Sequence, residues 1–294
     1  MTSITQKHKH YPVLLREIHN APIELFIDGD IPAGPMIAIV GTRKPTTYGR
    51  EVAYRLAYDL AVAGCVTVSG LAYGIDSIVH QATLDAGGRT IAVMAMGLDR
   101  IYPAAHRGLA RDIVEQGGAL ISEYQEGMPG MKHQFPARNR IIAGLSLGTV
   151  VPEADARSGS LITAFQALES NRVVMAVPGN ITSERSAGPN NLIRSGAVPV
   201  MTADDILAAV GLTVVTADEA TTQKGGLEGE IMGLLIKGAL HTEAVAGTLA
   251  RPIPAILSAL SLLEMTGDIR NIGGNTWMTR EGKMTKSLTS VKSA

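Results

Sequence analysis

The sequence predicts a doubly wound α/β domain, a parallel β-sheet with helices on both faces, followed by a smaller second domain. Short apolar, β-branched runs recur along the chain, and the segments between them have helical patterns. Successive runs start roughly 25 to 30 residues apart, which is the length of a βα unit. Runs with little polar alternation are typical of strands buried on both faces of a parallel sheet.

Each element follows from this rhythm. Six strands are predicted at Ile37–Val40, Val66–Ser69, Thr90–Val93, Ala119–Ser122, Thr149–Val151 and Val173–Val177. Helices are predicted at Tyr48–Ala63, Ile75–Ala86, Ala105–Gln116, Arg138–Leu145, Ser160–Ser170 and Thr202–Val210. Thr202 is a good helix start because two aspartates follow it in the first turn.

The C-terminal part of the chain has a different pattern, which predicts a winged helix-turn-helix. It comprises the helices Glu228–Lys237, Thr242–Leu249 and Ile253–Met265 and a hairpin around Gly273. The third helix is almost wholly apolar, which favours a protein-contact or regulatory role over base readout, and Trp277 is expected in the core. The expected division is a lead-in packing on the main domain (1–34), the main domain (35–211), a linker (212–226), the winged-helix-like domain (227–282) and a tail (283–294).

Composition narrows the class of protein. With 294 residues, 46% hydrophobic and 18% charged, the chain can bury a sizeable core, and wholesale disorder is excluded. The single Cys65 excludes an intrachain disulfide framework and a cysteine-based zinc site. There is no signal-peptide pattern and no run near the roughly 18 apolar residues of a membrane span, so we expect a cytoplasmic protein without a membrane partner. A net charge of −1 means that a polyanion would have to be held by local patches.

One such patch is the run Lys132–Arg140, KHQFPARNR. It combines four potentially cationic side chains with one aromatic ring, and no acid occurs between Glu126 and Glu153. Guanidinium and ammonium groups pair with phosphates, and a ring can stack on a base. The alternative is a solvated loop whose arginines form ordinary ion pairs.

The loops that follow the strands are rich in glycine. They are Gly41–Gly49, Ser69–Asp76, Pro152–Thr163 and Pro178–Asn180. In an open parallel sheet these loops share the ligand-binding edge, and glycine lets backbone N–H groups approach an anion. The first loop is also basic and free of acids, which favours a polyanion site, although the glycines could serve only tight turns.

Cofactor and catalytic patterns are incomplete. Neither G-x-G-x-x-G nor a Walker A sequence follows the first strand, so no nucleotide cofactor and no metal are predicted. Ser69, Asp76 and His80 suggest a hydrolytic triad only weakly, because no G-x-S-x-G turn is present. Glu153 and Asp155 could act as general acid or base, or pair with nearby arginines.

At this point a family resemblance emerges. The segments VGTRKPTTYG, SGLAYGID with His80 following, FPARNRIIAGLS, SGSLIT and AVPG together resemble the DNA processing protein A (DprA/Smf) family, over roughly Tyr11 to Leu207. The resemblance implies an extended Rossmann-like domain that binds single-stranded DNA, dimerises, and hands DNA to the RecA recombinase, notably in natural transformation.

The resemblance also implies roles for residues. Arg43, Lys132, Arg138 and Arg140 would contact phosphates, Phe135 would meet a base, and the turn at Ser158 would bind the backbone through its amides. The complete expected site is Gly41, Thr42, Arg43, Ser69, Gly70, Lys132, Phe135, Arg138, Asn139, Arg140, Ser158, Gly159 and Ser160.

Three departures accompany the resemblance. Position 73 is Tyr where many members have Arg, which would remove a cation from the pocket. The stretch MAMG lacks the first glycine of the usual L-G-x-G, and the usual N-terminal helical module is expected to be missing.

The leading hypothesis is therefore a non-enzymatic, sequence-independent binder of single-stranded DNA. It would protect the strand, mediate RecA loading, and form a homodimer through the Rossmann-like domain. The alternative is a nucleotide-binding enzyme of the phosphoribohydrolase type, although its P-G-G-x-G-T-x-x-E signature is absent and only PGN at Pro178 comes near. A third possibility is an adaptor that works mainly through the C-terminal domain.

Overall fold

The chain forms two compact units, one containing Met1–Thr213 and the other Val214–Thr289. The computed structural model describes residues 1–215, 226–235, 240–266, 268–271, 273–279 and 287–290. The division between the units falls within the segment predicted as a linker, 212–226. Most of that segment, 216–225, lies outside the described residues, as does the predicted tail apart from 287–290.

The first unit is built on a nine-stranded, mostly parallel sheet, which confirms the predicted fold class. Its strands are β1 (Thr2–Thr5), β2 (Glu24–Gly29), β3 (Met36–Ile39), β4 (Val66–Ser69), β5 (Thr90–Val93), β6 (Ala119–Ser122), β7 (Gly148–Val151), β8 (Val173–Ala176) and β9 (Val198–Pro199). Their order is β1-β2-β6-β5-β4-β3-β7-β8-β9. β3 to β9 run parallel, whereas β2 pairs antiparallel with β6 and β1 antiparallel with β2. The lead-in segment thus extends one edge of the sheet.

Helices cover both faces of this sheet. They are α1 (Val13–Arg16), α2 (Thr47–Val62), α3 (Ile75–Asp85), α4 (Arg107–Glu115), α5 (Gln134–Leu145), α6 (Ser160–Glu169), α7 (Ala187–Arg194) and α8 (Ala203–Ala209), and a strand β10 (Leu212–Val215) follows. Short 3₁₀ turns, Ala104–His106 and Glu184–Ser186, precede α4 and α7. α2, α3 and α4 pack side by side on one face, and α1, α5 and α6 pack on the other. Thr202 caps α8 in a capping box with Asp205, as its helix-start pattern predicts.

The strand order reverses direction between β3 and β7. From β3 the chain proceeds through β4, β5 and β6 toward one edge, and β7, β8 and β9 then continue on the other side of β3. The connection from β6 to β7 must therefore cross the sheet, and α5 makes this crossing over β3, β4 and β5. Ligands of open α/β sheets bind at such a reversal, beside the carboxyl ends of the strands.

α5 begins at Gln134, four residues before the predicted start at Arg138. Pro136 lies in the first turn, where the missing N–H would have had no helical partner and costs no hydrogen bond. Most of the basic run is consequently helical rather than a loop, so side chains two positions apart point in different directions.

The core beside α3 contains a buried polar network. The Thr67 hydroxyl lies 2.7 Å from that of Thr83 and 2.8 Å from that of Thr90, and His80 Nδ1 lies 2.7 Å from the Thr90 hydroxyl. His80 is fully buried, and this burial lowers its pKa to about 3. The imidazole is therefore neutral in the folded chain throughout the range in which an exposed histidine would gain a proton.

The second unit contains α9 (Leu227–Leu235), β11 (Leu240–His241), α10 (Thr242–Leu249), α11 (Ile253–Met265), β12 (Ile269–Asn271), β13 (Thr276–Thr279) and β14 (Ser287–Ser290). β12 and β13 form the predicted hairpin, and β11 joins β13 on its other side. Trp277 is buried in the core and donates to the Thr242 hydroxyl, in agreement with the sequence. The predicted end of the first helix, Lys237, lies outside the described residues.

Within the described part of the chain, no single helix has the length and apolar character needed to cross a membrane. α10 and α11, which meet at 116°, would satisfy that criterion only as a bent pair, by length and composition.

The buried His80 makes stability sensitive to acid. Between its ordinary pKa near 6.5 and its folded pKa near 3, the unfolded chain binds a proton that the folded chain does not. Stability contributed by this group is thus complete above pH 6.5 and falls by about 1.4 kcal/mol per pH unit below it. We predict that His80→Gln reduces the pH dependence of urea unfolding between pH 6 and pH 4 by about that amount.

The exposed His19 provides the matched control, because His19→Gln also removes an imidazole but not a buried one. Equal pH slopes for wild type and His80→Gln would contradict the buried, neutral state of His80.

Candidate functional site

A cavity of about 670 Å³ lies at the carboxyl ends of β3 and β7, where the strand order reverses. Three segments form most of its walls: the loop after β3, the first turns of α5 together with Lys132 just before them, and the turn that starts α6. The residues predicted from sequence that line it are Gly41, Thr42, Arg43, Lys132, Phe135, Arg138, Asn139, Ser158, Gly159 and Ser160. The fold therefore brings together residues that are separated by up to about 120 positions in the chain.

Ser69 and Gly70 lie beneath this cavity rather than in its wall. Ser69 is buried, and its hydroxyl donates to the Ile39 carbonyl at 2.8 Å, which links β4 to β3. Gly70 lines a small cleft that adjoins the cavity. Their expected role at the site is thus one of support.

Arg140 does not reach the cavity, which corrects the expectation for this residue. Its guanidinium forms a two-pronged ion pair with Glu123, with Nη1–Oε1 and Nη2–Oε2 distances of 2.8 and 2.6 Å, and its Nε donates to the Asn20 carbonyl. Two positions along an α-helix correspond to a rotation of about 200°, so Arg138 and Arg140 face opposite ways. Arg140 ties α5 to the edge of the sheet instead.

Arg138 is the floor of the cavity. It is 95% buried, with 5% of its surface exposed, and its Nη1 donates to the carbonyls of Gly70 (2.8 Å) and Val93, at the ends of β4 and β5. Burial lowers the pKa of its guanidinium to about 10, while the nearby Asp76 opposes that shift. A Cβ on Gly70 would lie 2.3 Å from Arg138 Nη2, so this contact requires glycine. The guanidinium supplies a fixed positive charge beneath the cavity.

Asp76 balances this charge. Its carboxylate accepts from the N–H groups of Gly70 and Ala72, at 3.2 and 3.4 Å. Burial raises the pKa of Asp76, and Arg138 and these hydrogen bonds counteract the rise. Ser69 also hydrogen-bonds to Asp76, but His80 Nδ1 bonds to the Thr90 hydroxyl and not to either of them, so these three side chains do not form a catalytic triad.

The loop after β3 is held in place by Glu153. The Thr42 N–H donates to the Glu153 carbonyl at 2.7 Å, and the Glu153 carboxylate accepts from the backbone N–H and the hydroxyl of Thr46, at 2.9 and 2.5 Å. Glu153 is almost completely buried. Glu153, for which the sequence left a role as general acid, general base or arginine partner open, thus fixes the loop that carries Arg43. Asp155, the second carboxylate considered for these roles, pairs with Arg185.

Three exposed cations surround the mouth of the cavity. Arg43, Lys44 and Lys132 line it, and within the described residues none of them forms an ion pair. Lys44 belongs to the predicted basic loop but was not among the predicted site residues. Arg185, on the 3₁₀ turn before α7, was missed because its segment carries no motif, and only the fold brings it to this wall.

An aromatic side chain from another loop lies beside Phe135. The ring centroids of Tyr102 and Phe135 are 5.8 Å apart, in an edge-to-face arrangement. Tyr102 follows β5, so it occupies a strand-end loop, and aromatics are only 4% of the chain. Those two signals together could have identified it from sequence.

The turn before α6 lines the cavity with Ser158, Gly159 and Ser160. Asn139 on α5 donates to the Gly159 carbonyl at 3.4 Å, and the hydroxyls of Ser158 and Ser160 are 2.8 Å apart. The first N–H groups of α6 donate to Ser158 and Gly159, and the N-terminus of the helix carries the positive end of its dipole. The turn therefore suits an anionic group. No group of three or more metal-ligating side chains occurs among the residues that the structure describes.

Comparison with known proteins places this arrangement in a family. The family model for DNA recombination-mediator protein A matches residues 2–211. The DNA processing protein DprA of Bacillus subtilis is 44% identical over 209 residues, which cover 70% of each chain. Protein Smf of Escherichia coli is 37% identical over 275 residues, covering 90% of this chain and 74% of that protein.

Solved structures agree with the sequence comparison. The crystal structure of DprA from Streptococcus pneumoniae has a TM-score of 0.65 and 41% identity, covering 70% of this chain and 73% of that one. DNA processing protein A from Helicobacter pylori, studied for its single-stranded DNA binding mode, has a TM-score of 0.63 and 30% identity, covering 71% and 96%.

The packing of Glu153 can be tested with two glycines. A Cβ on Gly49 would lie 2.0 Å from Glu153 Oε2, whereas nothing lies within 4 Å of a Cβ on Gly159. Alanine normally stabilises a helix relative to glycine. We nevertheless predict that Gly49→Ala lowers the free energy of unfolding by about 1–3 kcal/mol, because the carboxylate must move.

Gly159→Ala is the matched control and should change stability by less than about 0.5 kcal/mol. Urea unfolding of both variants measures the difference, and equal stabilities would contradict the role assigned to Glu153.

Proposed function

The chain belongs to the DNA recombination-mediator protein A family, and from that premise we propose that it binds single-stranded DNA irrespective of base sequence and presents it to a RecA-type recombinase. The observation that carries the proposal is the cavity at the strand reversal, where Arg43, Lys44 and Lys132 surround Phe135. The H. pylori relative is described as binding single-stranded DNA. We propose the cytoplasm as the setting of this activity.

Affinity would come from phosphates. The three exposed cations approach from two different walls, and the buried Arg138 and the positive end of the α6 dipole add positive potential from below and from the side. Asp76 and Asp155 are the acids of the lining, and each is already engaged, by backbone amides and by Arg185 respectively. The net field in the cavity therefore favours a polyanion, although the whole chain is nearly neutral.

Tolerance of any sequence would come from Phe135. A half-buried ring at the edge of a phosphate cavity can stack on a base, and every base has a face that stacks. Thymine, cytosine and purines would then bind with similar geometry, as protection of an arbitrary single strand requires.

We infer binding without chemistry at this site. The carboxylates that a phosphoribohydrolase or hydrolase would use are Glu153 and Asp155, and both have structural partners. Their positions support a role in shaping the walls around a bound strand rather than in proton transfer.

We also propose that the first unit forms a homodimer through an exposed apolar face of α6. Phe165 and Leu168 are 61% and 64% exposed and lie beside a groove of about 450 Å³ that α6, α7 and β9 enclose. Val198 on the edge strand β9 adds to this face. An apolar patch of this kind typically marks an interface, and a nearly neutral chain presents little repulsion to a second copy.

The DNA-binding proposal predicts a loss of affinity when cations are removed from both walls. The double variant Arg43→Ala/Lys132→Ala should bind fluorescent oligo-dT at least about tenfold more weakly at low salt. Its log–log salt slope should fall by about 0.7 for each lost phosphate contact, a quantity that a salt titration of fluorescence anisotropy measures.

Arg55→Ala/Arg111→Ala is the matched control, since both arginines are exposed and pair with acids on their own helices. The control should bind as wild type does. Wild-type affinity in the folded Arg43/Lys132 variant would overturn the proposed function.

The dimer proposal predicts that Phe165→Glu/Leu168→Glu has the mass of one chain in size-exclusion chromatography with light scattering, where wild type has twice that mass. Introducing two carboxylates into a self-complementary face places like charges opposite each other. Ile23 is 81% exposed and distant in sequence from α6, so Ile23→Glu should leave the dimer intact. A monomeric wild type, or a dimeric double variant, would contradict this interface.

A further inference from the structure

Two tyrosine side chains extend the aromatic surface of the cavity beyond Phe135. Tyr73 and Tyr102 are 51% and 54% exposed, and both line a small cleft beside the cavity. The chain has only seven tyrosines, three phenylalanines and one tryptophan. Tyr73, Tyr102 and Phe135 are three of these eleven rings, and all three line this cleft.

The cleft and the cavity are continuous. The residues that line both are Arg43, Ala72, Tyr102, Phe135 and Arg138. A strand whose phosphates met the cations of the cavity would thus have its neighbouring bases beside Tyr102 and Tyr73. The lining of the cleft contains two arginines and no acid, so it does not repel the backbone of the strand.

Both tyrosines are held in place by packing. Tyr102 contacts Phe135 edge to face, and Tyr73 contacts His106 in the same way, with ring centroids 5.0 Å apart. His106 is itself fixed, because its Nδ1 donates to the Leu71 carbonyl at 2.8 Å. Rings that are already oriented lose little conformational freedom when a base stacks on them.

The loop that carries Tyr73 is equally constrained. Leu71 adopts a left-handed backbone conformation (φ 57°) and is completely buried, and the Ala72 N–H donates to Asp76. A buried side chain and a buried carboxylate thus hold a loop whose tip is an exposed ring. Strained backbone of this kind is found most often at binding sites.

The contacts of the two tyrosines suggest that the rings have a role. Both tyrosines contact their neighbours, His106 and Phe135, through their rings. On α2, by contrast, the exposed Tyr48 and Tyr54 use their hydroxyls to bond to Pro178 and Asp85. Tyr73 and Tyr102 instead offer apolar surface beside a cationic cavity, the combination that binds stacked bases.

We propose that Tyr73 and Tyr102 form a second base-stacking subsite, next to Phe135, that binds the nucleotides adjoining those in the phosphate cavity. The subsite rests on the proposed function, since it assumes that the cavity holds single-stranded DNA. Position 73 is Tyr in this chain, and the subsite assigns this side chain a stacking role in place of an electrostatic one.

The test uses the full chain and a set of oligo-dT strands in which one nucleotide at a time is abasic. Tyr73→Ala and Tyr102→Ala should each weaken binding of intact oligo-dT about five- to tenfold. The salt slope should stay that of wild type, because no phosphate contact is lost. Tyr→Phe at either position should bind as wild type, and Tyr→Leu, which keeps apolar bulk without a ring, should bind as weakly as Tyr→Ala.

A double-mutant cycle assigns the contact. At the nucleotide that stacks on Tyr73, removing the base should weaken wild type but cause no further loss in Tyr73→Ala, whereas elsewhere the two losses should add. Tyr73→Ala is the decisive variant because its ring does not touch Phe135. Tyr58→Ala, at an exposed ring on α2, is the matched control and should bind normally.

The outcomes separate the subsite from the function. If wild type binds oligo-dT and Phe135→Ala weakens it, but Tyr73→Ala and Tyr102→Ala bind as wild type, the subsite is rejected and the proposed function stands. If Tyr→Leu variants retain full affinity, stacking is rejected as its mechanism. Absence of any oligo-dT binding by wild type rejects the proposed function itself.

Discussion

The buried guanidinium of Arg138 is the contact on which the rest of the site depends. It joins α5 to the carbonyls that end β4 and β5, and it does so beneath the point where the sheet reverses. A buried cation is costly unless it is hydrogen-bonded and balanced, and strand-end carbonyls and Asp76 supply both. Gly70 is required because a side chain there would occupy the space of the guanidinium. The helix that crosses the sheet is thereby held with its N-terminal turns at the cavity.

The charged residues around the cavity fall into two groups with different roles. Arg138, Arg140 and Glu153 are engaged with the protein itself and set the positions of α5 and of the loop after β3. Arg43 and Lys132 are exposed and can meet a ligand. The rigid group keeps the exposed group in place, so binding would not have to organise the cavity. Aromatic rings at the rim complete a surface suited to a flexible, charged strand.

Periodic features of the chain could be read from sequence, and contacts between distant segments could not. β4, β5 and β6 have the predicted bounds, because a four-residue apolar run between helices leaves little choice. The start of α5 was predicted too late, since a proline in the first turn hides a helix end. Arg140 was assigned to the cavity by the family resemblance, and its ion pair with Glu123 joins segments that no local pattern connects. Tyr102 and Arg185 were missed because no local pattern indicates that their loops meet at the strand reversal. For the residues that do line the cavity, contact with phosphates or bases stays a prediction.

The most direct test of the account is to locate a bound strand on the full chain. An oligo-dT strand containing 5-iodouracil can be cross-linked by ultraviolet light and the attached peptides identified by mass spectrometry. We expect cross-links to peptides that contain Phe135, Tyr102 or Tyr73, and their loss when excess unlabelled oligo-dT competes. Cross-links confined to the second unit, within 226–279, would contradict the assignment of the cavity as the DNA-binding site.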